Sequence, residues 1–149
     1  MGTATADEIA ALVAALDRER QEWIDGRFDA AGTAPMVQDD AMTLFGPFGG
    51  EAVGPSPLQA KAAALFRGGS GSTEVVQAIA DGDLVVLVLI ERNAVCFEPG
   101  AAPRPWILRT TQVFRRDGAC WRRLHRHADP LIDRRPLADT LAIADPRHA

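Results

Sequence analysis

His125 and His127, one residue apart, are the side chains in this sequence best suited to moving a proton near neutral pH. They close the stretch Trp121-Arg122-Arg123-Leu124-His125-Arg126-His127, in which strand alternation sets Trp121, Arg123, His125 and His127 on one face. The run Trp106–Arg116 precedes it, and Asp117-Gly118 between them is a turn signal, so the two segments read as a hairpin. The turn decides what opposes the histidines. A three-residue loop Asp117-Gly118-Ala119 places Thr111 opposite His125 and Arg109 opposite His127, whereas a two-residue Asp117-Gly118 turn brings Thr110 and Leu108 there. Arginine can hold an anion through two parallel N–H bonds, so Arg109 and Thr111 beside two imidazoles would suit a carboxylate or an enolate oxygen. The same four side chains also suit a purely structural role in a sheet. A His-x-His pair can bind a metal, but the site needs a third and usually a fourth ligand. Only Asp129, Asp133 and His148 are near at hand, so no metal is expected. Asp40 and Glu91 are candidates for a general base, because a carboxylate buried against an apolar wall acquires a raised pKa.

The elements that would position these groups follow from periodicity. Thr5 followed by Glu8 is a capping box, and Ile9, Leu12, Val13, Leu16, Trp23 and Ile24 recur at the spacing of one helical face. Met42–Phe45 reads as a short strand after Asp39-Asp40, with Gly46–Gly50 a turn and Glu51–Val53 a short returning strand. Ser56 with Pro57 starts a second helix, whose buried face is Leu58, Ala62, Leu65 and Phe66. Gly68–Ser72 reads as a loop, followed by a hairpin through Asp81-Gly82 into Leu84–Ile90. Residues 92–105 read as a second loop, and a short helix is expected around Ala138–Ile143. Helices first and long antiparallel strands after them predict an α+β fold with the helices on one side of a curved sheet.

The chain of 149 residues fits one domain, with a core over about 6–133 and a tail over 134–149. Its longest apolar run, Leu84–Ile90, falls far short of the roughly 20 residues that span a bilayer, so no membrane partner is expected. Acidic residues interrupt every apolar stretch near the N-terminus, which points to a cytoplasmic protein. Cys96 and Cys120 form no disulfide framework and no zinc-type spacing. Sixteen basic residues against twenty acidic ones argue against polyanion binding, so no nucleic-acid partner is expected. Ten of the basic residues nevertheless lie from Arg104 onward, where a local anion site could form. Arg115, Arg116, Arg122 and Arg126 read as an exposed or dimer-facing stripe, and Trp23 and Trp106 as aromatic residues at a pocket mouth or in plain core.

Leu108-Arg109-Thr110-Thr111-Gln112-Val113-Phe114-Arg115-Arg116-Asp117-Gly118 and Trp121–Pro130, preceded by Asp39-Asp40 and Gly46-Pro47-Phe48-Gly49-Gly50, resemble the nuclear transport factor 2-like superfamily of SnoaL-like and ketosteroid-isomerase-like proteins. The resemblance covers roughly Ala6–Asp133 and extends, more distantly, to the hub domain of calcium/calmodulin-dependent kinase. It implies a cone-shaped α+β fold with a curved antiparallel sheet, a homodimer through that sheet, and an apolar pocket between the sheet and the helices. It also makes the face of His125 and His127 the pocket face and favours the three-residue loop. On that reading His125, Arg109 and Asp40 are the catalytic candidates, and Thr111, His127, Trp23, Trp106 and Glu91 bind the ligand. The implied partner is a small apolar or carboxylate-bearing molecule, with no cofactor. The implied reaction is isomerisation, dehydration or cyclisation by proton transfer next to a carbonyl, and the alternative is a non-catalytic sensing or dimerisation module. The chain contains no tyrosine, which departs from the tyrosine-dependent chemistry of ketosteroid isomerase and scytalone dehydratase. The Asp-Arg-Asp arrangement of limonene epoxide hydrolase has no evident counterpart either.

Overall fold

The capping box forms as the sequence requires. Thr5 Oγ1 accepts from the Glu8 N–H at 3.2 Å while the Thr5 N–H donates to Glu8 Oε2 at 2.8 Å, which starts helix α1 over Ala6–Ile24. A computed structural model describes residues 2–28, 33–54, 57–130 and 132–148. After α1 come strands β1 (Met36–Phe45) and β2 (Ala52–Val53), helix α2 (Pro57–Ala63), strands β3 (Gly69–Asp81), β4 (Leu84–Val95), β5 (Arg104–Asp117) and β6 (Cys120–Asp129), and helix α3 (Leu137–Ala144). The expected cap at Ser56 lies outside the described residues.

The six strands form one sheet in the order β2-β1-β6-β5-β4-β3. Strands β3 to β6 form an antiparallel meander, but β1 lies parallel to β6, so the sheet is mixed rather than wholly antiparallel. The chain crosses from β1 over the sheet and returns through β6 in the same direction. One face carries the core: Leu12, Ala15 and Leu16 of α1 pack on Met36, Val85, Leu87, Leu89, Phe114 and Trp121. Burial in β4 alternates strictly, with Val85, Leu87, Leu89, Glu91, Asn93 and Val95 inward. The opposite face has no covering helix among the described residues.

Three expectations need correction. β1 begins at Met36 rather than Met42, because its first half pairs with Trp121–Arg123 of β6. The stretch Gly68–Ser72 is not a loop: β3 starts at Gly69 and pairs with the end of β4. Helix α1 pins this edge, with Gln21 Nε2 donating to the Gly69 carbonyl at 3.2 Å and Arg20 Nη2 to the Gly71 carbonyl at 3.1 Å. Likewise the loop expected at residues 92–105 shrinks, because β4 runs to Val95 and β5 starts at Arg104.

Arg116 ties the sheet to the helix start. Its guanidinium donates to both oxygens of Glu8 and lies 4.5 Å over the Trp121 ring. The Arg116 side-chain bond first, and the Thr5 backbone N–H second, hold the Glu8 carboxyl down from 4.5 to about 2. A carboxylate whose folded pKa is depressed stabilises the fold above its unfolded pKa and loses that effect as pH falls through the folded one. Glu8→Gln should therefore flatten the decline of stability between pH 4.5 and about 2, read by urea denaturation at each pH; a variant as acid-sensitive as the wild type would exclude this contact as a contributor.

Candidate functional site

Between α1, α2, the Gly46–Ala52 turn and the inner face of the sheet lies a cavity of about 500 Å³. Its walls are apolar and aromatic. Trp23, Phe66 and Trp106 line it beside Ile24 and Val95, and Phe48 stacks on Trp106 with ring centroids 5.4 Å apart. Phe48 and Leu65 remain half-exposed at the mouth. The inner end is polar: Arg123, Arg126, Glu19, Glu91, Asn93 and Gln112 all line it.

These polar groups are arranged in pairs. Arg123, buried on β6, donates from Nη2 to Glu19 Oε1 at 2.6 Å and from Nη1 to Glu19 Oε2 at 3.3 Å. Arg126 donates in the same two-pronged way to Glu91, at 3.0 and 3.4 Å. Burial works against the Arg126 charge, but the nearby Glu91 carboxylate, by charge and by hydrogen bonding, more than offsets it and raises the guanidinium pKa. A guanidinium carries five N–H donors and Glu91 occupies two of those on Arg126, which leaves this arginine able to bind a further oxygen. With each arginine matched by a glutamate, the inner end carries little net charge.

The hairpin register departs from both sequence alternatives. The turn is the two-residue Gly118-Ala119, with Asp117 facing Cys120, and an extra residue at Leu124 bulges β6 between Arg123 and His125. Thr111 therefore faces His127, Val113 faces His125, and Arg109 faces Asp129. Because a bulge reverses the alternation beyond it, Arg126 takes up the inward face after Arg123 and both histidines turn outward. His125, His127, Arg109 and Thr111 thus lie on the outer face rather than in the cavity. There His125 Nδ1 is 2.7 Å from Thr43 Oγ1, and the Phe45 ring meets both imidazoles edge-on at 5.4 and 5.6 Å. Arg109 binds Asp129 through two bonds of 2.9 Å, which raises its pKa. Asp40 is also outside the cavity, exposed in the irregular part of β1 between Gln38 and Thr43. Of the residues singled out from the sequence, the cavity brings together Glu91, Trp23 and Trp106.

Arg126, expected on an exposed or dimer-facing stripe, is turned inward by the bulge and carries the polar end with Gln112 and Glu19, neither of which was a candidate, while Arg116 of the same stripe is 10% exposed against Glu8 and Trp121. Two signals point to them. Glu91 continues the inward series Val85, Leu87, Leu89 and so requires a buried cation, and Glu19 falls on the Leu12-Leu16-Trp23 face of α1. Among the described residues no cluster of three or more His, Cys, Asp or Glu side chains could hold a metal. No helix there is long and apolar enough to cross a membrane.

No protein-family model and no curated protein matches the chain. Solved structures do. A nuclear transport factor 2-like protein of unknown function from Pseudomonas putida superposes with a TM-score of 0.60 at 21% identity, covering 91% of this chain and 100% of the other. The calcium/calmodulin-dependent kinase II hub homology domain of Chlamydomonas reinhardtii gives 0.62 at 18% identity, covering 83% and 98%. A putative dehydratase of the nuclear transport factor 2-like family from Streptomyces avermitilis gives 0.55 at 18%, covering 62% and 69%. The chain therefore has the nuclear transport factor 2-like fold, a scaffold that by itself fixes no activity.

Proposed function

We propose that this protein binds a small, mostly apolar molecule that presents one oxygen-bearing end, a carboxylate or an enol oxygen, to Arg126. The observation that supports this reading is the cavity itself: about 500 Å³ walled mainly by apolar and aromatic side chains and ending at a part-buried arginine with N–H donors to spare. Both glutamates at that end have their oxygens engaged by arginine, an arrangement suited to orienting a ligand more than to taking a proton from it. The test is thermal stabilisation by a panel of small carboxylates and enolisable ketones, since a ligand of the native state raises apparent stability by mass action. The shift should persist in His125→Ala and vanish in Arg126→Lys, which keeps the charge but loses the fork. Loss in His125→Ala with retention in Arg126→Lys, or no response to any compound, would overturn the assignment.

The outer face favours a homodimer as the working form. Val86, Val88 and Ile90 of β4, Val113 of β5 and Phe45 of β1 form an apolar surface with no helix over it among the described residues, and Phe45 is 41% exposed. The kinase II hub homology domain shares this fold, in keeping with an assembly role for the sheet. Light scattering should give twice the chain mass for the wild type and the single-chain mass for Val88→Asp; a wild type of single-chain mass would remove the dimer from the proposal.

A further inference from the structure

Gln112 stands at the inner end of the cavity with an unmet requirement. Its neighbours across the sheet are Leu87 on β4 and Arg126 on β6, and along β5 the same face continues with Phe114. The residue is 1% exposed, and among the described residues its Oε1 has no hydrogen-bond partner. A buried polar atom left unpaired is costly, so natural structures keep such atoms where water or a ligand completes them. Here the residue lines the cavity, and Leu87 and Phe114 offer its oxygen nothing. With no donor among the described residues bonded to it, the oxygen is left for a group entering the cavity to complete.

From this we infer that Gln112 selects for a hydroxyl group on the ligand, phenolic or enolic, over a carboxylate or a bare hydrocarbon. The inference rests on the ligand-binding reading above and sharpens it. An amide oxygen needs a donor, while the spare N–H groups of Arg126, its neighbour on β6, need an acceptor, and the two side chains make no bond to each other. One hydroxyl supplies both, donating to Gln112 and accepting from Arg126. A carboxylate supplies only acceptors and would set its charge against the Gln112 oxygen. The pairing of Arg123 with Glu19 and of Arg126 with Glu91 leaves this end close to neutral, which again suits a neutral head group. Sites built around a substrate hydroxyl discriminate strongly against analogues lacking it, because the analogue leaves buried polar groups unpaired.

The experiment compares 2-naphthol, naphthalene and 2-naphthoate by calorimetric titration of the wild type, Gln112→Leu and Gln112→Met. The wild type should bind 2-naphthol at least about tenfold more tightly than naphthalene, with 2-naphthoate weaker than 2-naphthol. In Gln112→Leu the naphthol-to-naphthalene ratio should fall to near one while naphthalene binding is retained. Gln112→Met provides the same comparison should the leucine variant fail to fold. A ratio that survives in both variants would mean that Arg126 alone reads the oxygen and would overturn the inference. Equal binding of naphthol and naphthalene by the wild type, or a preference for naphthoate, would overturn it while leaving the pocket reading in place. Binding of none of the three would remove both.

Discussion

Glu19→Leu should cost about 3–5 kcal/mol of folding stability, more than any other single change at the cavity. The reason lies with the residue left behind. The Arg123 side chain is 2% exposed and that of Glu19 14%, so Arg123 has no route to bulk water when its counter-charge is removed. It also lies over the Phe114 ring at 5.9 Å, held by the sheet on one side and by α1 on the other. In a domain of this size the loss corresponds to a fall in Tm on the order of 10 °C. The double variant Glu19→Leu/Arg123→Leu should recover most of it, since two apolar side chains of similar bulk dispense with desolvating both charges. Urea denaturation of the two single variants and the double one measures the coupling directly. If Glu19→Leu costs less than about 1 kcal/mol, Arg123 is hydrated through the cavity and the polar end is open to solvent rather than sealed.

The α+β layout was legible in the sequence because its signals are local. Thr5 and Glu8 mark the start of α1, the spacing of Leu12, Leu16 and Trp23 gives its face, and period-two runs mark the strands. The site was legible only in part because its decisive feature is a single extra residue. Leu124 carries no glycine or proline to announce a bulge, yet it exchanges the faces of Arg126 and the two histidines. A residue count from the turn could not show this, since the pairing of β6 is set on both sides, by β5 and by the parallel β1. Glu91, by contrast, was accessible because it lies on the alternation of β4 before any irregularity intervenes.

The Gly68–Ser72 stretch misled for a related reason: glycine signals a turn by propensity, whereas here it permits close approach. Gly69 has φ +134°, a conformation that side chains rarely adopt, and a Cβ on it would sit 2.1 Å from the Ala94 carbonyl oxygen and 3.0 Å from the Val95 Cα. Both obstacles are backbone of the paired strand β4, so neither can step aside without opening the ladder. Backbone strain of this kind costs about 1–3 kcal/mol by itself, and the clash adds to it. Gly69→Ala should therefore lose about 2–4 kcal/mol in urea denaturation, with hydrogen exchange quickening first at the Gly69 end of β3 and the Val95 end of β4. Gly71 makes the instructive contrast. There a Cβ would meet the ends of two side chains, Asn93 Oδ1 at 2.1 Å and Arg20 Nε at 2.9 Å, both belonging to residues that line the cavity. Those ends can swing away, so Gly71→Ala should be milder in stability but should disturb ligand binding, whereas Gly69→Ala should weaken binding only as far as it unfolds the edge. A Gly69→Ala protein as stable as the wild type would mean that the β3 edge is not paired to the end of β4, and the inner wall of the cavity would then lack the support of α1 through Gln21 and Arg20.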